Sequence, residues 1–139
     1  MSDETLPSEL LTRLEDELRA KSAELVDPQE GECLLCFVAR AVHELGCDCT
    51  LRWSQRFRDL RVPTATGLER RLGAVGGFCD CELFLNGYVL ARELCERDVD
   101  TDELRAPARL PYCASVRRTS TQPCRNWERR RRDGGQGWW

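Results

Sequence analysis

The stretch Gly76-Gly77-Phe78-Cys79-Asp80-Cys81-Glu82-Leu83-Phe84-Leu85-Asn86-Gly87-Tyr88 decides how the rest of the chain is read. Its side chains alternate as on an extended strand. Cys79, Cys81, Leu83 and Leu85 fall on one face, and Phe78, Asp80, Glu82 and Phe84 on the other. Asn86-Gly87 then closes a hairpin, because both residues tolerate the positive φ of a type I′ turn. Residues two apart on a strand lie roughly 6–7 Å apart at Cα, so Cys79 and Cys81 suit two ligands of one metal ion. The spacing predicts a domain organised around that ion.

A second thiol pair precedes it. From Gly31 to Gly46, Leu34, Phe37, Val38, Ala41, Val42 and Leu45 make a broad apolar face, with Gly46 as a natural stop. This predicts the central helix, carrying Cys33 and Cys36 in its first turn, where free amides and the helix dipole favour thiolate over thiol. Cys33, Cys36, Cys79 and Cys81 are therefore the expected ligands of one metal, and four soft thiolates select zinc. Cys47, Cys49 or His43 could each replace one of them. His43 lies seven residues beyond Cys36, about 10.5 Å along a helix axis, and so pairs better with Cys47; His43, Cys47 and Cys49 would also fit a second metal. Four thiolates leave zinc no open position for water, which predicts a structural metal, and no hydrolase-like constellation accompanies the single histidine. The spacing Cys33-x-x-Cys36 also fits a redox pair, and unligated core cysteines are the plain alternative. Cys113 and Cys124 are either a second metal pair or simple thiols of the tail, and Cys95 has no visible partner.

Outside this core the chain is divided by charge. Before Cys33 stand ten acids against Arg13, Arg19 and Lys21, whereas from Arg117 onward seven arginines face only Glu128 and Asp133. Leu10, Leu11, Leu14, Leu18 and Leu25 trace one helical stripe after Pro7-Ser8, with Asp27-Pro28 as its end. An amphipathic helix packed on the domain is expected over residues 1–30, and a dimer seam is the alternative, since Leu11, Leu18 and Leu25 repeat every seven residues. A third helix with Trp53, Phe57 and Leu60 inward is capped by Thr50 or Asp48 and broken by Pro63. A fourth runs from Thr66-Gly67-Leu68-Glu69 to about Ala74. The cysteine-rich zinc-binding core thus covers residues 31–97. Residues 98–139, punctuated by Pro107, Pro111 and Pro123, read as an irregular or disordered arginine-rich tail. The fold class is α+β: three or four short helices packed on a small β-hairpin.

Composition bounds the function. The net charge is −3 and nine cysteines form an odd set, which in a reducing compartment suits metal ligation better than disulfides. Met1-Ser2-Asp3-Glu4-Thr5 is acidic, unlike a signal peptide, and the run Leu34 to Ala39 is far short of a membrane span. A cytoplasmic protein is expected. The residue pattern favours a non-enzymatic zinc-binding protein acting through a protein partner. A nucleic-acid-binding module using arginines of the third helix and tail, and a thiol oxidoreductase, are the alternatives.

The run from Gly31 to Tyr88 contains Cys33-x-x-Cys36, Cys47-Asp48-x-Thr50-Leu51-Arg52, Leu68-Glu69-Arg70-Arg71-Leu72 and Gly77-Phe78-Cys79-Asp80-Cys81-Glu82. It resembles a small bacterial family of unknown function, domain of unknown function 2695, marked by a GG-aromatic-CDCE box. The resemblance covers under half of the chain. It implies that Cys79, Asp80, Cys81 and Glu82 act as a unit with the first cysteine pair, and it supplies no activity.

Overall fold

Apolar spacing becomes four helices in the expected order: α1 (Ser8–Leu25), α2 (Leu34–Leu45), α3 (Arg52–Arg61) and α4 (Leu68–Ala74). Short strands follow: β1 (Tyr88–Leu90), β2 (Glu96–Arg97), β3 (Leu104–Arg105) and β4 (Trp127–Arg129). The computed structural model describes residues 7–25 and 27–130, with the side chains of residues 19–25 left out. β1 pairs antiparallel with β4, Tyr88 opposite Arg129 and Leu90 opposite Trp127, while β2 pairs antiparallel with β3. The fold is α+β.

α2 is the centre of the core because its apolar face is the widest. Leu34, Leu35, Phe37, Val38 and Ala41 are all buried, against Trp53 and Phe57 of α3, Leu68 and Leu72 of α4, and Leu83, Phe84, Leu90 and Trp127. Phe37 meets Trp53 edge to face at 6.5 Å between ring centroids and Phe57 at 6.0 Å, geometries that add to the area each ring buries. Ahead of α2, the carboxylate of buried Glu32 accepts from Arg40 Nε at 3.1 Å and Nη2 at 2.8 Å, a two-point contact that fixes the approach to Cys33.

Residues 78–85 depart from the expected strand. They form a turn followed by a π-helical turn over Leu83–Gly87, and extended pairing starts only at Tyr88. The reason is Asp80, which is fully buried. Its Oδ2 accepts from the Trp53 amide at 2.9 Å, and its Oδ1 accepts from the Ser54 amide at 3.2 Å and the Ser54 hydroxyl at 2.8 Å. Asp80 therefore satisfies the orphan amides at the start of α3, a role expected of Thr50 or Asp48. Asp48 instead accepts from the Thr50 amide at 3.0 Å in its own turn. An extended strand would have pointed Asp80 outward with Glu82. Asn86-Gly87 makes no hairpin; the Asn86 side chain donates to the Gly76 carbonyl at 3.0 Å.

Gly76 and Gly77 set the direction of this loop. Gly76 has φ +87°, its amide donates to Gly73 O at 3.0 Å, and the Gly77 amide donates to Leu72 O at 2.9 Å. These two bonds close α4 in a Schellman motif. A side chain at Gly77 would also strike Leu83 Cδ2 at 2.4 Å.

Two further expectations change. The leucine stripe of α1 is not covered by the rest of the described chain: Leu11, Leu14 and Leu18 are 41%, 40% and 64% exposed. Among the described residues no helix or strand packs on α1 closely enough to bury that face. The tail is irregular in its secondary structure, but as far as Arg130 it is anchored. Cys124 and Trp127 are buried, and the Trp127 ring lies 5.2 Å from Phe84. Residues 131–139, with half of the arginine run and the last two tryptophans, lie outside the described residues.

Replacing Asp80 by Asn removes one acceptor oxygen and leaves at least one buried amide of α3 without a partner. Urea denaturation should show a loss of about 1–3 kcal/mol, with Ser54→Ala costing about 1 kcal/mol at most. An Asp80→Asn midpoint equal to wild type would show that the carboxylate does not hold the loop.

Candidate metal centre

Four thiols converge where the start of α2 meets the C-terminal segment. Cys33 is the residue capping α2, and Cys36 lies in its first turn. Cys113 and Cys124 reach them from the segment between β3 and β4. All four sulfurs lie within 4.8 Å of one another, and Cys36 Sγ and Cys124 Sγ are 3.8 Å apart. A tetrahedral ion with metal–sulfur bonds of about 2.3 Å places its sulfurs about 3.8 Å apart. The four cysteines are placed to hold a metal ion.

The surroundings supply what such a cluster of sulfurs requires. The Cys36 amide donates to Cys33 Sγ at 3.3 Å, and the amides of Cys33 and Ser115 donate to Cys113 Sγ at 3.2 and 3.3 Å. Trp127 Nε1 donates to Cys36 Sγ at 3.3 Å. Donors aimed at sulfur stabilise the charged form and orient it, as outer-shell groups do at metal sites. Ser115 takes φ 72° to place its amide there, a conformation uncommon outside glycine. Cys33 and Cys124 are sealed from solvent, at 0% and 3% exposure.

Without a cation these thiols compete for protons. The hydrogen bond from the Cys36 thiol draws the Cys33 thiol down to about 6, against burial that pushes it up. Cys36 is raised, first because its proton is held by the Cys33 sulfur and then by burial. Burial pushes the Cys113 thiol up to about 11, against the amides of Cys33 and Ser115. Four anions this close are stable only around a positive ion.

The expected ligand set is thus divided in space. Cys33 and Cys36 are together, but they meet Cys113 and Cys124, and the four-thiol group does not contain Cys79 or Cys81. Cys79 and Cys81 lie instead on a loop that two tethers draw toward the far end of α2, where Cys47 follows the helix. The Asp80 amide donates to Thr50 O at 3.1 Å, and Trp53 Nε1 donates to Gly46 O at 2.9 Å. His43 is exposed on α2 and is not one of the four residues that form the group. Cys113 and Cys124 stand eleven residues apart with no spacing motif. Besides the reading of Cys113 and Cys124 as a possible metal pair, Trp127, an aromatic residue close after Cys124 in an otherwise polar stretch, is a signal that the segment is anchored.

The arginines of α3 are engaged within the chain. Arg52 lies 4.3 Å over the Trp53 ring, Arg56 pairs with Asp27, Arg58 pairs with Asp59 and Glu69, and Arg61 donates to Gln29 O at 2.9 Å. Arg130 donates to Phe84 O at 2.7 Å and Arg129 stacks 5.8 Å from Tyr88. No helix among the described residues is long and apolar enough to cross a membrane.

Metal capture by the four thiols must discharge protons, since ligands bind as thiolates. Near neutral pH Cys36 and Cys113 give theirs up; below about 6 Cys33 does so as well. Affinity should fall as pH falls, and more steeply below the Cys33 value. Competition with a chelator across this range measures it; an affinity independent of pH would contradict the ligand set.

No curated protein and no solved structure matches the chain. A family model described as protein of unknown function (DUF2695) matches residues 34–86, in agreement with the resemblance read from the sequence. That region holds Cys36, Cys47, Cys49, Cys79 and Cys81 but neither Cys33 nor the C-terminal cysteines, so over α2 to Asn86 the chain is similar to that family of unknown function.

Proposed function

We propose that this chain is a cytoplasmic, non-enzymatic zinc-binding protein whose zinc fastens the C-terminal segment to α2, and which acts through a protein partner. The observation that carries the reading is the convergence of Cys33, Cys36, Cys113 and Cys124 to within 4.8 Å, with four N–H donors on their sulfurs. Zinc suits four thiolates in a tetrahedron and needs no redox change. A closed four-sulfur shell leaves no position for substrate, so the ion works as a structural clasp. The cysteines are free thiols, which agrees with a reducing compartment.

The thiol-exchange alternative draws on the lowered Cys33 thiol, yet Cys33 has no exposed surface from which to attack a disulfide. Nucleic-acid binding through α3 would require its arginines to abandon the partners they have in this chain. The partner surface that fits the reading is the α1 stripe of Leu11, Leu14 and Leu18, bordered by Glu9, Glu15, Asp16 and Glu17. Its complement is an apolar groove with a basic rim.

Elemental analysis of protein purified without chelator should find zinc, and Cys124→Ser should lose one equivalent. Removing that zinc should lower the melting temperature and shift Trp127 emission to longer wavelength as β4 loosens, because ligation energy is folding energy at such a site. Protein that carries no metal and melts identically with and without chelator would sink the reading. For the partner surface, Leu14→Asp with Leu18→Asp should abolish capture of the cognate protein while leaving zinc content and melting temperature unchanged. Capture that survives both substitutions would remove α1 from the proposal.

A further inference from the structure

The four clustered thiols are not equally placed toward solvent. Cys36 and Cys113 are half-buried and border a cavity of about 630 Å³, whose wall also includes Arg40, His43 and Asn126. Cys33 and Cys124 are buried and take no part in that lining. A small polar molecule entering the cavity therefore meets two sulfurs of the cluster, with the other two within 4.8 Å of them.

The two sulfurs on the cavity differ in what holds them. Cys113 Sγ accepts two amides, from Cys33 at 3.2 Å and from Ser115 at 3.3 Å, which tie up its lone pairs. Cys36 Sγ accepts the indole N–H of Trp127 at 3.3 Å and faces Cys124 Sγ at 3.8 Å. Donors on a thiolate stabilise it and blunt its attack, so Cys36 is the stronger nucleophile of the two. Sulfurs in a disulfide are about 2.05 Å apart, so Cys36 and Cys124 join by an approach of roughly 2 Å. Cys33 is already engaged, because its sulfur caps α2 by accepting the Cys36 amide at 3.3 Å. A bond from Cys36 to Cys33 would disturb that cap; a bond to Cys124 leaves it in place.

We propose that Cys36 and Cys124 are a hydroperoxide-reactive pair, whose disulfide displaces the metal ion and takes over the fastening of the C-terminal segment to α2. The displacement rests on the four-thiolate zinc reading above, whereas the reactivity of the pair does not. First, the Cys36 thiolate attacks one oxygen of hydrogen peroxide; the S–O bond forms, the O–O bond breaks, and hydroxide leaves. Then the Cys124 thiolate attacks the sulfenic sulfur, so that the S–S bond forms, the S–O bond breaks, and a second hydroxide leaves. Solvent protonates both hydroxides to water. The peroxide gains the two electrons that the two thiolates lose. Cys33 and Cys113 stay reduced, and two thiolates alone do not close a tetrahedral shell around zinc. The new bond joins residues 88 apart in the chain, tying the same two segments that the ion tied.

The test treats the full chain with hydrogen peroxide after its zinc content has been measured. Zinc-bearing wild type should release one ion per disulfide formed, read with a colorimetric chelator. Peptide mapping of the same sample should find Cys36 joined to Cys124, a measurement that needs no variant to fold. The oxidised protein should keep the Trp127 emission of the zinc-bearing form, whereas reduced protein stripped by chelator should not. Cys124→Ser should stop at a sulfenic acid on Cys36, captured by dimedone, and Cys95→Ser should behave as wild type. Zinc-bearing protein whose cluster thiols survive peroxide, or that joins a different pair among them, would overturn the inference and leave the metal reading standing. Protein that holds no zinc and still joins Cys36 to Cys124 would uphold the pair and sink the metal reading.

Discussion

Most of this structure depends on one buried carboxylate. Asp80 is the only fully buried acid in the described chain, and burial raises its proton affinity, against the amides of Trp53 and Ser54 and the Ser54 hydroxyl that hold it ionised. Its position between two cysteines means that capping α3 and placing those thiols are the same act. Without its grip the loop after α4 would have no reason to fold back onto the end of α2. Gly46, Trp53 and Thr50 complete the frame, each through a contact in which a side chain or amide of one element satisfies the backbone of another.

At the opposite end of α2 the controlling term is charge. Four sulfurs drawn to within 4.8 Å would repel one another as anions and crowd one another as thiols, so the protein arranges amides, an indole N–H and apolar cover around them. Trp127 links the two needs: its ring packs on Phe84 while its nitrogen serves Cys36. Core packing and sulfur chemistry are therefore difficult to separate by mutation, and so is the pairing of β1 with β4.

What could be read from the residues follows how local the physics is. α1 to α4 were legible because apolar spacing, Pro28, Gly46, Pro63 and the paired glycines act within a few residues of themselves. The same local reasoning turned Phe78 to Leu85 into a strand, since four alternating residues on each face look extended until a helix elsewhere claims Asp80. The four-thiol group was legible only in half. Cys33 and Cys36 announce themselves by spacing, whereas Cys113 and Cys124 are recruited across most of the chain by a loop with no periodicity. Nothing in the leucine spacing of α1 distinguishes a face buried on its own domain from one left exposed.

The recruitment of Cys124 to Cys36, 88 residues earlier, also sets the order in which the molecule comes into being. Closing so long a loop costs chain entropy before any contact rewards it. During synthesis α2, α3 and α4 emerge with their own apolar partners and can collapse early, but Cys33 and Cys36 then wait, half a site, until Cys113 and Cys124 have been made. At about 5–20 residues per second, that interval lasts seconds, during which the nascent chain shows the cell a pair of reactive thiols at a helix start. Any ion, oxidant or chaperone that engages thiols meets this protein first in that unfinished form.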